Sequence, residues 1–338
     1  MHHTNHYYGH AHLMARYAGL PGWRHPPRIW GYLQHGWNVH HGFDPALEFA
    51  PGLPKFVWSE GPREVGSRLG IDGYHVVGAP WAYLLAMRPE PAGERAREGT
   101  IFYPFHGWER QRLLGDHVAL AASVRAQETG PVTVCLYWLE YRLPAIRRAY
   151  QKAGFRVITH GPRGSHRRGT DVAFLDRQMT ELRRHRRVAS NRLSTAVLYG
   201  ASVGCEVGVY GDPMALDGEG DVFGGVERVR REWPELHAPE VPADLAAKVA
   251  REELGVDHRR SPAEIVELFG WLTGPDGTVR APATTADPVR LRAQVRWLDK
   301  EIQRRDDELR RTRESVSYRV GNAVVRPLRK VSRKGRRG

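Results

Sequence analysis

Only two of the 338 residues are cysteine, Cys135 and Cys205, and both fall in apolar segments. A disulfide framework is not indicated, and a reducing compartment fits that usage. No apolar run approaches the roughly 18 residues that span a bilayer. The stretch from Val132 to Leu139 is strand-length. The sequence does not open with a basic region followed by an apolar one, so no secretory signal is expected. No DxD-type carboxylate pair stands out, so no metal or other cofactor is expected. Acidic residues are also the minority, 38 Asp and Glu against 51 Lys and Arg, for a net charge of +13. From Arg290 to Gly338 there are 17 basic and 6 acidic residues, so that tail holds +11 and residues 1–289 only +2. A nucleic-acid binder would spread basic residues over its folded body and show a recognition motif; neither is visible here, so nucleic acid is not an expected partner.

What is present is a folded chain. Hydrophobic residues make up 41% and tryptophans number 10, too many for a disordered protein and ample for a core. Residues 1–27 are rich in His and Tyr and read as a partly ordered leader. His2, His3, His6, His10 and His12 match no standard ligand spacing. From Arg28 onward, short Val/Ile/Tyr/Trp-rich runs alternate with helical segments. Expected strands are Ile29–Gln34, Lys55–Trp58, His75–Val77, Thr100–Tyr103, Val132–Tyr137, Arg156–Thr159, Arg187–Ser190 and Glu206–Tyr210. Expected helices are Glu109–Gln127, Pro144–Ala153, Phe174–Arg184 and Thr195–Val203, then three short ones over Val226–Pro234, Ala243–Leu254 and Pro262–Trp271. Strands alternating with helices imply parallel sheets built from βαβ units. Pro89, Pro91 and Gly93 break the pattern, giving α/β units over residues 28–92 and 93–272. Residues 273–289 read as a Gly/Pro/Thr linker.

The remainder has two parts. Over residues 290–314, Leu291, Val295, Leu298, Ile302 and Leu309, continued by Val316 just beyond, follow heptad spacing, with Arg305 and Thr312 in the gaps. That is a short coiled-coil candidate and a possible route to an oligomer, a lone surface helix being the other reading. Residues 315–338 hold eight basic and no acidic residues, with Val316, Tyr318, Val320, Val324, Val325 and Leu328 among them. That mixture suits an anionic membrane surface; a solvated disordered tail is the alternative.

Polar residues recur where strands end. Ser190, Asn191, Ser194 and Thr195 cluster at a strand-to-helix turn. Ser194 or Thr195 would cap the following helix, whose N-terminal amides and these hydroxyls suit a phosphate. Ordinary capping explains the same residues. His35 ends a strand in Leu33-Gln34-His35-Gly36-Trp37 and has the chemistry of a general base; a structural His bonded to backbone is the plain alternative. Tyr103-Pro104-Phe105-His106-Gly107-Trp108-Glu109 again sets a His after a strand. Glu60, Glu140, His160 and Arg163 each follow a strand, so all gather on one edge of their sheet. Trp37 and Trp108 lie beside these groups and could stack on a ligand, with core packing the default.

Two Rossmann-like units facing a cleft, with a helical, basic C-terminal tail, describe a GT-B-like α/β fold. The order of His35–Trp37, Val76–Trp81, Thr100–Gly107 and Ser190–Asp212 resembles bacterial GT-B-type surface-polysaccharide glycosyltransferases. More distantly it is similar to CDP-glycerol glycerophosphotransferases. In the latter family a His-Gly-Thr motif supplies a catalytic His, which His35 matches, and a Ser-Ser pair binds phosphate, which Ser194 and Thr195 match. The family's His-Pro pair has no clean counterpart, His160-Gly161-Pro162 being nearest, and Ser190 and Asn191 replace acidic residues. The resemblance covers residues 28–270 and implies a metal-independent transferase of the bacterial cell envelope, peripheral at the inner face of the membrane. It implies a nucleotide-sugar donor and a glycan or lipid-linked acceptor. His35, with Glu60 second, would be the base; Ser190, Asn191, Ser194, Thr195, His106, His160 and Arg163 would serve the phosphates; Glu109 and Glu140 would face the cleft. A non-catalytic scaffold of a polysaccharide assembly and a nucleotide-sugar epimerase are the competing readings.

Overall fold

The structure, a computed structural model, describes residues 3–37, 40–44, 47–90, 96–108, 111–164, 170–219 and 225–271, together with 296, 300, 303–305 and 307. The chain divides into two compact units, Met1–Leu47 with Leu53–Pro282, and Glu48–Gly52 with Ala283–Gly338. In the second unit residues 296, 300, 303–305 and 307 are helical. The rest of the expected coiled coil, the linker and the basic tail lie outside the described residues. Glu109 does too.

The first unit opens with a 3-10 segment, His3–Gly9, and helix α1, His10–Tyr17. A small sheet follows: strand β1 (Tyr32–Leu33), β2 (Lys55–Val57), helix α2 (Glu60–Arg68), β3 (Tyr74–Val76) and helix α3 (Pro80–Met87). Its order is β1-β2-β3, all parallel. A larger sheet comes next, with β4 (Thr100–Tyr103), β5 (Leu113–Leu114), α4 (His117–Gln127), β6 (Val132–Cys135), α5 (Trp138–Tyr141), α6 (Pro144–Lys152) and β7 (Arg156–Ile158). It continues with α7 (Phe174–Leu182), β8 (Arg187–Ser190), α8 (Thr195–Ser202), β9 (Glu206–Val209) and β10 (Ala215–Leu216). Helices α9 (Val226–Glu232), α10 (Ala243–Glu253) and α11 (Pro262–Leu268) close the unit.

The large sheet runs β7-β6-β4-β8-β9, parallel throughout. Side chains alternate across it, as a pleated strand buried on both faces requires. Phe102, Val134 and Ala189 meet Leu120, Val124 and Tyr150 of α4 and α6. Ile101, Cys135 and Val188 face α7, α8 and α10 through Met179, Leu182, Val197, Leu198 and Val249. The chain winds from β4 outward to β7, then returns to β8. The order therefore reverses between β4 and β8, and the loops leaving their carboxyl ends diverge. Such a switch point is where open α/β sheets form a crevice for ligands.

Three expectations change. The expected partly ordered leader is, over its described residues, part of the fold: Ala11, Leu13, Met14 and Ala15 lie in the same core as Trp58 and Trp81. The Asn5 amide takes the place of a strand beside β1, donating to the Gly31 carbonyl at 2.9 Å and accepting from the Leu33 amide at 2.8 Å. Helix α4 starts at His117 rather than Glu109, because Asp116 Oδ1 accepts from the Val118 and Ala119 amides and caps it there. The residues before it form β5, antiparallel to β10. Finally, residues 254–271, expected to close the second α/β unit, pack on the first sheet. Phe269 lies against Phe56 at 4.7 Å between ring centroids, and Trp271 Nε1 donates to the Arg28 carbonyl at 3.1 Å.

Candidate functional site

The switch point brings together the loops after β4 and β8. Ser190 Oγ donates to the Tyr103 carbonyl at 2.7 Å. Asn191 Oδ1 accepts from the Phe105 amide at 2.6 Å, and its Nδ2 donates to the Asp212 carbonyl at 2.6 Å. Both residues are buried, so their polar atoms are spent on tying loops rather than offered to a phosphate. Arg192, which carries no motif in the sequence, lies over the Phe105 ring at 3.7 Å and donates to the Pro213 carbonyl and Glu219.

Ser194 occupies the N-cap position of α8 with an extended backbone, but its side chain does not cap the helix. Its Oγ is buried without a hydrogen-bond partner. Thr195 Oγ1 accepts from the Trp37 amide at 3.2 Å. The turn after β1, which carries His35, therefore abuts the N-terminus of α8, where unpaired amides and the helix dipole favour an anion. Trp37 is held from its other side as well. Its Nε1 donates to Glu253 of α10 at 2.7 Å, and its ring lies 4.7 Å from that of Trp233. Burial pushes the Glu253 carboxyl above the usual range against the bond from Trp37.

His35 and Arg163 are joined through a residue of the N-terminal segment. The Tyr7 ring stands T-shaped to His35, with centroids 5.0 Å apart, and the Arg163 guanidinium lies 4.2 Å from the same ring. His160 has a different role from the one expected. It is buried, 3.0 Å from the Tyr103 hydroxyl, and burial lowers its pKa to about 4. A neutral imidazole does not offset phosphate charge. His106 donates from Nδ1 to the Gly107 carbonyl at 2.6 Å and stacks on Tyr137 at 4.2 Å. Glu140 is buried and accepts from the Gly107 amide at 2.9 Å. Both shape the loop after β4. Glu60 opens α2 and pairs with Arg63 at the surface.

A cavity of about 240 Å³ opens at the carboxyl ends of β8 and β9, lined by Asn191, Arg192, Tyr210, Gly211, Arg230 and His237. His237 Nδ1 donates to the Trp233 carbonyl at 2.8 Å, and burial holds the ring below its ordinary pKa. A larger cavity, about 530 Å³, lies at the amino ends of the same sheet beside Thr100, Glu128 and Arg187. That edge is the wrong one for ligand chemistry in this topology. The polar groups there also satisfy one another, since Glu128 accepts from Thr100, Arg187 and Tyr210 at 2.6 to 2.9 Å. Among the described residues, no three His, Cys, Asp or Glu are grouped as metal ligands.

Tyr7, Glu253, Arg230 and His237 were not singled out from sequence. Tyr7 gave no local signal: the helix after it is buried from His10 to Ala15, but its two histidines read as polar in sequence.

No family model and no curated protein matches the chain. Solved structures do, at low similarity. A Listeria monocytogenes protein described as a putative UDP-N-acetylglucosamine 2-epimerase is 15% identical with a TM-score of 0.34, over 62% of this chain and 54% of that one. A point mutant of TarM from S. aureus, solved with fondaparinux, alpha-GlcNAc-glycerol and UDP, is 12% identical with a TM-score of 0.32, over 70% and 47%. UGT2 of Phytolacca americana, complexed with UDP-2fluoro-glucose and pterostilbene, is 12% identical with a TM-score of 0.27, over 64% and 47%. The chain spans about half the length of these structures.

Proposed function

We propose that the chain is a glycosyltransferase of the GT-B type, moving a sugar from a nucleotide-activated donor to a cell-surface polysaccharide or lipid-linked acceptor. The observation that carries this reading is the buried, unbonded Ser194 Oγ at the N-terminus of α8. Leaving a buried hydroxyl unsatisfied costs about 1–3 kcal/mol, and a small opening of the turn that lets a phosphate oxygen accept from it would remove that cost.

In this reading the donor's phosphates lie at Ser194, Thr195 and the first amides of α8, which stabilise charge on the departing diphosphate. The nucleoside takes the cavity beside Tyr210, Arg230 and His237. Arg163 adds positive charge, and His35 removes the proton from the acceptor hydroxyl. His106, His160, Ser190, Asn191 and Glu140 fix the loops that shape the site. The basic segment 315–338 seats the enzyme on an anionic membrane surface, where lipid-linked acceptors reside.

Calorimetry with CMP, CDP, UDP, GDP and dTDP tests the donor site. One of them is expected to bind, and Ser194→Ala to weaken it about tenfold or more, the scale of a hydrogen bond to a charged group. Unchanged affinity would place the phosphates elsewhere.

A further inference from the structure

Tyr7 touches both catalytic halves of the proposed site. The residue is 6% exposed. Its ring meets the His35 ring at 5.0 Å and 85°, and the Arg163 guanidinium lies 4.2 Å from its centroid. The backbone that puts it there is unusual. Tyr7 leaves helical geometry at ψ 138°, Tyr8 has φ 55°, and Gly9 has φ 76°. A left-handed backbone is rare for a residue as bulky as Tyr8, and it persists only where the surroundings enforce it.

The enforcement is visible on both sides of the kink. Ahead of it, Asn5 is bonded to the edge of β1 at 2.9 and 2.8 Å. Behind it, the Tyr8 amide donates to the Arg163 carbonyl at 2.7 Å, and the Tyr8 ring packs 5.0 Å from Phe174. A Cβ on Gly9 would stand 3.0 Å from the Asp171 carbonyl oxygen, so the turn is closed against that loop. Fixed at both ends, the segment gives Tyr7 one place to be.

We infer that Tyr7 is a positioning residue: its ring sets the spacing between His35 and Arg163, and so between the acceptor's proton acceptor and the donor's charge partner. The inference rests on the reading that those two residues serve the two substrates. The chemistry suits the task. The negative π face of the phenol ring attracts the guanidinium, and a T-shaped contact fixes the imidazole plane.

The test compares the full chain with Tyr7→Phe, Tyr7→Leu and Arg163→Ala. Affinity for UDP, CDP, GDP, dTDP and CMP is read by calorimetry, and the His35 imidazole by ¹H–¹⁵N NMR, assigned with His35→Gln. Tyr7→Phe is expected to stay within about twofold of wild type, because the ring remains. Tyr7→Leu, an apolar side chain without a π face, is expected to weaken nucleotide binding about fivefold, the scale of a cation–π contact. It is also expected to shift the His35 resonances. If Tyr7→Leu does not fold, Tyr7→Met, flexible enough to repack, carries the same expectation. Wild-type affinity and unmoved His35 resonances in the Leu or Met variant, beside weakened binding in Arg163→Ala, would overturn the role of Tyr7 alone. A wild-type protein that binds none of the five nucleotides would overturn the reading beneath it as well.

Discussion

The Trp37 amide donates to Thr195 Oγ1 across 158 positions of sequence, at 3.2 Å. One hydrogen bond thus joins the turn that carries His35 to the helix whose N-terminus carries the proposed phosphate site. Thr195→Val keeps the shape and removes the acceptor. It is expected to cost about 0.5–1.5 kcal/mol of stability and to weaken nucleotide binding, while Thr195→Ser stays near wild type. Thermal melts and calorimetry on the two variants check this.

The other end of Trp37 predicts a pH dependence. Burial raises the Glu253 carboxyl above its ordinary range. The folded state then holds a proton that the unfolded state has released, so stability declines as pH rises from the unfolded carboxylate range toward the folded value. Glu253→Gln keeps an oxygen for Trp37 Nε1 and removes the charge. Its melting temperature is expected to exceed wild type at pH 7, with the gap closing below about pH 4.3, the ordinary Glu value. A constant gap across that window would exclude the titration.

His160 has the opposite sign. Its folded pKa is lowered from 6.5 to about 4, chiefly by burial. Its contribution is complete above 6.5 and is lost as pH falls through that interval toward 4. His160→Gln retains a partner for the Tyr103 hydroxyl and cannot titrate. Over that interval its stability is expected to fall less than wild type by about 3 kcal/mol at most, read from denaturant melts. His10, with its pKa lowered to about 3 by burial and then by His35, keeps part of the acid sensitivity in that variant.

Arg192 and Glu219 form a buried pair above the loop after β9, with side chains 5% and 13% exposed. Glu219→Ala strands the guanidinium and is expected to cost about 3–5 kcal/mol. Replacing both with apolar residues is expected to cost far less. A double-mutant melt series distinguishes the two outcomes.

The large sheet was legible because its strands carry short, β-prone apolar cores between breakers. Val132–Cys135 and Arg187–Ser190 announce themselves by residue type alone. Ser194 was legible as the residue between a strand and a helix, but the cap expected of its side chain does not form. The two-residue strands β5 and β10 carry no periodicity to read. Asp116 was a visible cap signal overshadowed by the helical composition before it. The site itself hid in long-range contacts. Tyr7 meets His35 and Arg163, and Trp37 meets Glu253 216 positions away; no local pattern encodes such encounters. His10 to Ala15 misled for a further reason: histidine counts as polar, yet His10 and His12 are at most 1% exposed.

The return of Phe269 and Trp271 to Phe56 and Arg28 has a consequence for synthesis. A ribosome makes the first sheet early, but Trp271 emerges 243 positions after the Arg28 carbonyl it binds. The face of Phe56 that Phe269 covers therefore stays open while the whole larger sheet is made. The sheet beside His35 is translated before the larger sheet and finished after it.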